Sequence, residues 1–120
     1  MRQFIWIFIA VVLASCGSND NKNVKNENDL SENPDYQQGL ALVGKSDCFS
    51  CHNVSAKLVG PAYADVAKRY ASEPVNVDTL AMRIINGSKG HWDTPDTMTA
   101  HKDLSPDDAR AMVKYVLTLK

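Results

Sequence analysis

Two cysteines and a histidine lie within five consecutive residues of the chain, Cys48-Phe49-Ser50-Cys51-His52. Two thiols three positions apart lie on one turn of backbone, so both can bond to the same partner. Three chemistries use such a pair: half of a zinc site, a dithiol redox centre, and attachment of a haem by thioether bonds. The histidine directly after the second cysteine adds an imidazole nitrogen beside the two sulfur atoms.

The number of cysteines in the chain favours haem attachment. The chain has three cysteines, so a four-thiolate zinc site is impossible, and no second pair of ligands is visible at a distance from Cys48 and Cys51. A thioredoxin-like dithiol needs a βαβ pattern, and no strand-rich segment surrounds the motif. The spacing therefore predicts one covalent haem c, bound through Cys48 and Cys51, with His52 as an axial ligand of the iron.

The third cysteine, Cys16, ends an N-terminal segment with the features of an export signal. A short positive start, Met1-Arg2-Gln3, precedes ten apolar residues at positions 4–13. This run is too short to cross a bilayer and has the length of the apolar part of a signal peptide. The small residues before Cys16 resemble the bacterial lipoprotein box, in which the signal is cut before a cysteine that carries fatty acids.

Residues 1–15 are therefore predicted to be a lipoprotein signal peptide, with Cys16 lipidated and holding the chain at a membrane. An ordinary cleaved signal and an uncleaved anchor are the alternatives. The following residues are rich in Asn, Asp, Glu and Lys and have too little apolar surface to fold. We expect residues 16–34 to be the lipidated cysteine and a flexible tether, and residues 35–120 to be the folded domain.

The folded part has the pattern of an all-α domain. Four segments have apolar residues at helical spacing. They begin near Pro34-Asp35, at Gly60-Pro61, at Asn76 as an expected N-cap, and at Ser105 as a second N-cap. A long irregular loop is expected at residues 87–104. The net charge of −1 and the lack of a basic stripe give no indication of nucleic-acid binding.

A second axial ligand to the iron has several candidates. They are Met82, His91, Met98, His101 and Met112. The first and last lie in amphipathic helices, where methionine usually fills a core. The two histidines have polar neighbours and are typical of a solvated surface. Met98 lies in a polar loop with no helical face to fill, so its thioether is the preferred ligand, and the histidines remain the alternatives.

Three further segments resemble the small bacterial class I cytochromes c. They read LVGPAYADVAKRY at 58–70, INGSKGHW at 85–92 and MVKYVLTLK at 112–120. With the C-x-x-C-H motif they cover nearly all of the domain, in the family's order. The resemblance implies an all-α cytochrome c fold, with about four helices around one haem. It also implies that the first and last helices cross in close contact at Gly39 and Tyr115.

The resemblance also implies roles for individual residues. By position, Cys48 and Cys51 carry the haem, His52 is the proximal ligand and Met98 is the distal ligand. The Pro61 carbonyl would accept a hydrogen bond from the other nitrogen of the proximal imidazole, which fixes the orientation of the ring.

Trp92 resembles the family's aromatic residue near a haem propionate, with simple packing as its alternative role. The sequence departs from the family just beyond this residue. Asp93 follows the tryptophan where the family often has glycine, and Thr97 and Thr99 flank the methionine where prolines are frequent. The path of this loop is therefore left open.

The expected ligand set indicates electron transfer. Histidine and methionine fill both axial positions of the iron, and methionine raises its reduction potential. No catalytic acid–base pair, nucleophile or phosphate loop is visible, so we expect no enzyme and no small-molecule substrate. The prediction is an exported, lipid-anchored carrier on the periplasmic side of a bacterial membrane. Its partners would be a redox donor and an acceptor, such as a terminal oxidase or a periplasmic reductase.

Two other classes of protein fit the sequence. One is a cytochrome c subunit permanently docked to a larger redox complex, and the other is a haem enzyme or sensor with a labile distal ligand.

Overall fold

A computed structural model describes residues 30–93, 95 and 97–120. The expected signal peptide, Cys16 and most of the expected tether lie outside this range. The helices are α1 (Pro34–Lys45), α2 (Tyr63–Arg69), α3 (Pro74–Asn86) and α4 (Pro106–Leu117). Short 3-10 turns precede and follow α1, at Leu30–Glu32 and Asp47–Ser50. Within the described range, no helix is long and apolar enough to span a bilayer.

The predicted all-α class is confirmed, and two of the four helices begin as the sequence indicates. At the start of α1, the Asn33 side chain accepts a hydrogen bond from the Tyr36 amide at 3.1 Å. The Ser105 hydroxyl caps α4 in the same way, accepting from the Asp108 amide at 3.1 Å. A proline follows each cap, where its missing N–H is no loss and its fixed φ suits the first turn.

The starts of the other two helices were predicted wrongly. Pro61 precedes α2, because Ala62 has extended backbone and the helix begins at Tyr63. Asn76 does not cap α3, which begins two residues earlier at Pro74, a residue suited to a first helical turn. The Asn76 side chain instead donates from Nδ2 to the carbonyl of Ala71 at 3.0 Å.

The expected irregular loop at 87–104 contains a small hairpin. Strand β1 (Ser88–Lys89) pairs antiparallel with β2 (Thr97–Met98), with Ser88 opposite Met98. Two-residue strands carry almost no hydrophobic pattern, which is why the sequence did not indicate them.

Helix α4 is the centre of the domain. One apolar cluster joins it to α1 and α2 through Val43, Tyr63, Met112, Tyr115 and Val116. A second cluster joins it to α3 through Val77, Ala81, Ala109, Val113 and Leu117. Helix α4 therefore has two buried faces, and the other three helices pack around it.

Helices α1 and α4 cross in close contact, as expected, at Gly39 and Tyr115. A Cβ atom on Gly39 would overlap the Ala111 carbonyl oxygen and the Tyr115 Cβ. The Tyr36 and Tyr115 rings meet edge to face beside the crossing, with centroids 5.1 Å apart. The absence of a side chain at Gly39 is therefore what allows the two backbones to approach.

We predict that Gly39→Ala destabilises the domain although alanine favours helix formation. The added methyl group pushes α4 away, and such overpacking costs about 1–3 kcal/mol. Thermal unfolding followed by circular dichroism should shift down by about 4–8 °C per kcal/mol.

Gly44→Ala is the matched control, because a Cβ at Gly44 on the same helix has no neighbour within 4 Å. It should stabilise the domain slightly, by about 0.5–1 kcal/mol. Equal midpoints for the two variants would contradict the role of Gly39.

Candidate cofactor-binding site

A cavity opens between the 3-10 turn after α1, the segment before α2, the β1–β2 hairpin and α4. Its wall contains every residue of the domain that the sequence assigned to the cofactor: Cys48, Cys51, His52, Pro61, Trp92 and Met98. All four helices add side chains to the rest of the wall, which is mainly apolar: Val43, Tyr63, Val66, Leu80, Ile84, Met112, Val113 and Val116. The fold therefore brings together six residues assigned to the cofactor that are up to 50 positions apart in the sequence.

The two thiols and the imidazole lie on one wall because the backbone turns tightly between them. The amides of Cys51 and His52 both donate to the Cys48 carbonyl, at 3.2 and 3.0 Å. Cys48 is half-buried and Cys51 is exposed at the mouth of the cavity. Two thiols held this way on one edge are placed to bond to a single large group.

The Cys48 thiol is held in its neutral form. Burial raises the pKa of this thiol, and the neighbouring Asp47 carboxylate raises that pKa further. In the described part of the chain, no three His, Cys, Asp or Glu side chains are grouped so that they could hold a metal ion.

The His52 ring has a fixed orientation. Its Nδ1 lies 2.8 Å from the Pro61 carbonyl oxygen, which can only accept, so Nδ1 carries the proton. The lone pair of Nε2 is then free for a metal, as in other metal-binding histidines. The ring also stacks on Tyr63, with centroids 5.2 Å apart and an angle of 17° between planes.

Gly60 and Tyr63 are site residues that the sequence analysis missed. A Cβ at Gly60 would overlap the His52 ring, with Nδ1 only 2.8 Å away, so this glycine makes room for the imidazole. In the sequence, Tyr63 is part of the segment at residues 58–70, and no local pattern assigns it a role at the site. Its pKa is raised strongly, mainly by burial, so the phenol stays neutral beside the ring.

Met98 lies on the hairpin wall of the same cavity. It is half-buried in β2, opposite Ser88 of β1. Gly87 has φ of +80° and brings its backbone against this strand; a Cβ there would lie 2.8 Å from the Met98 carbonyl oxygen. The left-handed turn at Gly87 thus sets where the thioether enters the cavity.

The other candidates for the second axial ligand lie in different parts of the domain. His91 and His101 line the cavity, but His101 Nδ1 is turned toward Asp47, 3.7 Å from a carboxylate oxygen. Met112 is buried in the core and also lines the cavity, as a helical core residue would.

The expectation that Met82 fills the core is wrong, because its side chain is 52% exposed and lines a separate surface hollow. The core-facing neighbour on α3 is Ala81.

Trp92 is half-buried on the hairpin side and has a cation over its ring. The Arg69 guanidinium lies 4.7 Å from the Trp92 ring centroid, and its Nη1 donates to the His91 carbonyl at 2.8 Å. The sequence analysis missed Arg69, because the contact joins residues more than 20 positions apart and leaves no local pattern.

The arrangement fits the group that the sequence predicts. An apolar cavity with two thiols on its edge, an imidazole on one wall and a thioether on another has the donor set of a covalent, six-coordinate haem. The free Nε2 of His52 and the mainly apolar lining of the cavity suit a large apolar ring with a metal at its centre.

The sequence and the fold are similar to those of known proteins. A family model described as Cytochrome c matches residues 36–120. Cytochrome c-552 of Nitrosomonas europaea is 40% identical over 86 residues, which are 71% of this chain and 82% of that protein. Cytochrome c-551 of Pseudomonas aeruginosa is 42% identical over 79 residues, covering 66% of this chain and 74% of that protein.

A solved structure supports the same relationship. The crystal structure of wild-type Nitrosomonas europaea cytochrome c552 superposes with a TM-score of 0.63 at 38% sequence identity. The match covers 68% of this chain and 99% of that one.

Proposed function

Because the chain belongs to the cytochrome c family, we propose that it is a lipid-anchored electron carrier on the periplasmic side of a bacterial membrane. Family membership makes it a small electron-transfer protein with one covalent haem c, and not an enzyme. One observation supports the electron-carrier part of the proposal: both thiols of the C-x-x-C-H motif, its imidazole and a methionine thioether line one mainly apolar cavity. When bound, the haem supplies an iron that accepts and releases one electron.

Cys48 and Cys51 are proposed to form the two thioether bonds, and His52 to be the proximal ligand through Nε2. The hydrogen bond from Nδ1 to the Pro61 carbonyl supports this role, because it fixes the tautomer and the direction of the free nitrogen. Such a bond also increases the basicity of the ligating nitrogen. The His52 ring also stacks on the Tyr63 ring, and this contact limits the tilt of the imidazole.

Met98 is proposed to be the distal ligand. Its thioether lies on the hairpin wall, whereas the His101 ring is paired with Asp47 and His91 is exposed. A ligand pair of histidine and methionine leaves no open position on the iron, which suits transfer of an electron without bond chemistry. Trp92 is proposed to lie near a haem propionate, because it lines the cavity on the hairpin side.

We predict that Met98→Ala opens a coordination site in the ferric holoprotein. The reduction potential should fall, and exogenous imidazole should bind at least about tenfold more tightly, because it no longer competes with a thioether. A spectroscopic titration and a redox titration measure the two effects.

His101→Ala and His91→Ala are the matched controls and should leave the visible spectrum almost unchanged. If His101→Ala gave a high-spin ferric protein while Met98→Ala stayed low-spin, His101 would be the ligand instead.

Exposed apolar side chains within and shortly after the C-x-x-C-H motif are proposed as the docking surface for redox partners and are called the apolar rim. The rim consists of Phe49, Val54, Leu58 and Val59, whose side chains are exposed. Phe49 lies between the two cysteines, and Val59 lines the cavity. A partner that covers these residues would come close to the haem and would bury apolar surface without needing strong charge pairing.

We predict that Leu58→Glu slows electron exchange with the membranes of the source cell by about tenfold, because one buried and unpaired carboxylate weakens docking. Leu58 is 50% exposed and is absent from the cavity wall, so the reduction potential should not change. Stopped-flow mixing of the holoprotein with membranes measures the rate.

Val75→Glu adds the same charge on α3, where the side chain is 65% exposed and away from the rim. It should exchange electrons at the wild-type rate. Equal slowing by both variants would argue against docking at the rim.

The membrane tether is proposed from the sequence, with residues 1–15 as the signal peptide and Cys16 as the lipidated residue. The described 3-10 turn at Leu30–Glu32 and the start of α1 lie at the end of residues 16–34, the expected tether. Cys16 would then lie about 14 residues before the first described helical turn, a span of up to roughly 50 Å when extended. That length would let the domain reach partners in the same membrane.

Cys16→Ser should release the domain into the periplasmic fraction or leave it as an unprocessed precursor. Fractionation followed by haem staining after denaturing electrophoresis locates the protein, because a covalent haem stays with the band. A variant that is cut normally and remains as firmly bound to membranes as the wild type would disprove lipidation at this residue.

A further inference from the structure

We propose that Arg69 is a positioning residue that holds the loop between β1 and β2 against α2 and thereby keeps Met98 on the iron. The inference rests on the proposed ligation by Met98. Arg69 is the last residue of α2, so it reaches the loop from one of the helices that pack on α4.

Arg69 makes two contacts with neighbouring residues of the loop. Its Nη1 donates to the His91 carbonyl at 2.8 Å, and its guanidinium lies 4.7 Å from the Trp92 ring centroid. The first contact fixes the backbone and the second fixes the side chain that lines the cavity. Among residues 90–93 and 95, the described part of the outer loop, no other helix residue supplies a hydrogen bond.

The Arg69 guanidinium also contacts the ring of Tyr70, the next residue in the chain. It lies 5.7 Å from the centroid of the Tyr70 ring, within the range of a cation–π contact. The Arg83 guanidinium lies at the same distance from that ring and donates to the Tyr70 hydroxyl at 2.9 Å. Within the described residues, no carboxylate forms an ion pair with Arg69, so its bonding capacity is directed to the loop.

The loop needs such an anchor because Pro95 fixes φ at one position of its sequence, whereas the residues beside the methionine do not. Thr97 and Thr99 flank the methionine, and threonine leaves φ free where proline would fix it. The β1–β2 ladder consists of two residue pairs, Ser88 with Met98 and Lys89 with Thr97. A ladder this short opens easily unless the loop beyond it is held by other contacts.

The geometry links the anchor to the ligand through the hairpin. Trp92 and Met98 both lie on the cavity wall, and the loop that starts at β1 returns to the cavity through β2. If the loop leaves α2, the ladder loses its outer support and Met98 is free to leave the iron. Arg69 therefore sets the equilibrium between a closed state with the thioether bound and an open state without it.

The test is an imidazole titration of the ferric holoprotein, followed by the visible spectrum. Imidazole binds only when the thioether has left, so its apparent affinity rises in proportion to the open population. We expect Arg69→Ala to bind imidazole about tenfold more tightly than the wild type. The charge-transfer band of the methionine–iron bond should also disappear at a lower temperature than in the wild type.

Two further variants distinguish the effect of the Arg69 contacts from the effect of positive charge on α2. Arg69→Lys keeps the positive charge and loses the planar guanidinium, so its affinity for imidazole should lie between those of the wild type and Arg69→Ala. Lys68→Ala removes the neighbouring exposed cation, whose partner is Asp65 at 3.5 Å, and should bind imidazole like the wild type. Circular dichroism should show all variants folded over the temperature range in which the band is lost.

The outcomes distinguish this proposal from the one on which it rests. A wild type with the methionine–iron band and an Arg69→Ala variant with unchanged imidazole affinity would overturn the role of Arg69 alone. Equal effects of Lys68→Ala and Arg69→Ala would also overturn it, because general charge would then explain both. A wild type without the band would overturn Met98 ligation and the role of Arg69 together.

Discussion

The close approach of α1 and α4 at Gly39 is the contact on which the cavity depends. It places α4 so deep in the domain that one face of this helix packs against α1 and α2 while the other packs against α3. The cavity wall includes Met112, Val113 and Val116 of α4. A shift of this helix would therefore move the apolar wall relative to both the C-x-x-C-H turn and the hairpin.

The two sides of the cavity are held in different ways. On the His52 side, a backbone turn, the hydrogen bond to Pro61 and the stacked Tyr63 ring restrict the imidazole from three directions. On the Met98 side, a ladder of two residue pairs joins β1 and β2, and Arg69 contacts His91 and Trp92 in the loop between them. The imidazole of His52 is therefore restrained by more contacts than the strand that carries Met98.

Local sequence patterns predicted some elements well and others poorly. The starts of α1 and α4 were predicted correctly, because a proline marks each of them and a serine cap marks α4, and both signals act within a few residues. The start of α2 was predicted wrongly because Pro61 serves a contact with His52 and not a helical turn. In the sequence, Met82 lies in an amphipathic helix, as core residues do. The way in which α3 packs on α4 nevertheless leaves its side chain exposed.

The sequence by itself determined the chemistry of this protein. The C-x-x-C-H spacing, an apolar pattern of four helices and the resemblance of residues 58–120 to the cytochromes c were enough to predict the haem and the fold class. Only the tertiary structure decided that Gly60 makes room for the imidazole, that His101 turns to Asp47, and that Arg69 meets Trp92. These contacts join residues distant in the chain, and their geometry depends on how the helices pack, which no local spacing of residue types records.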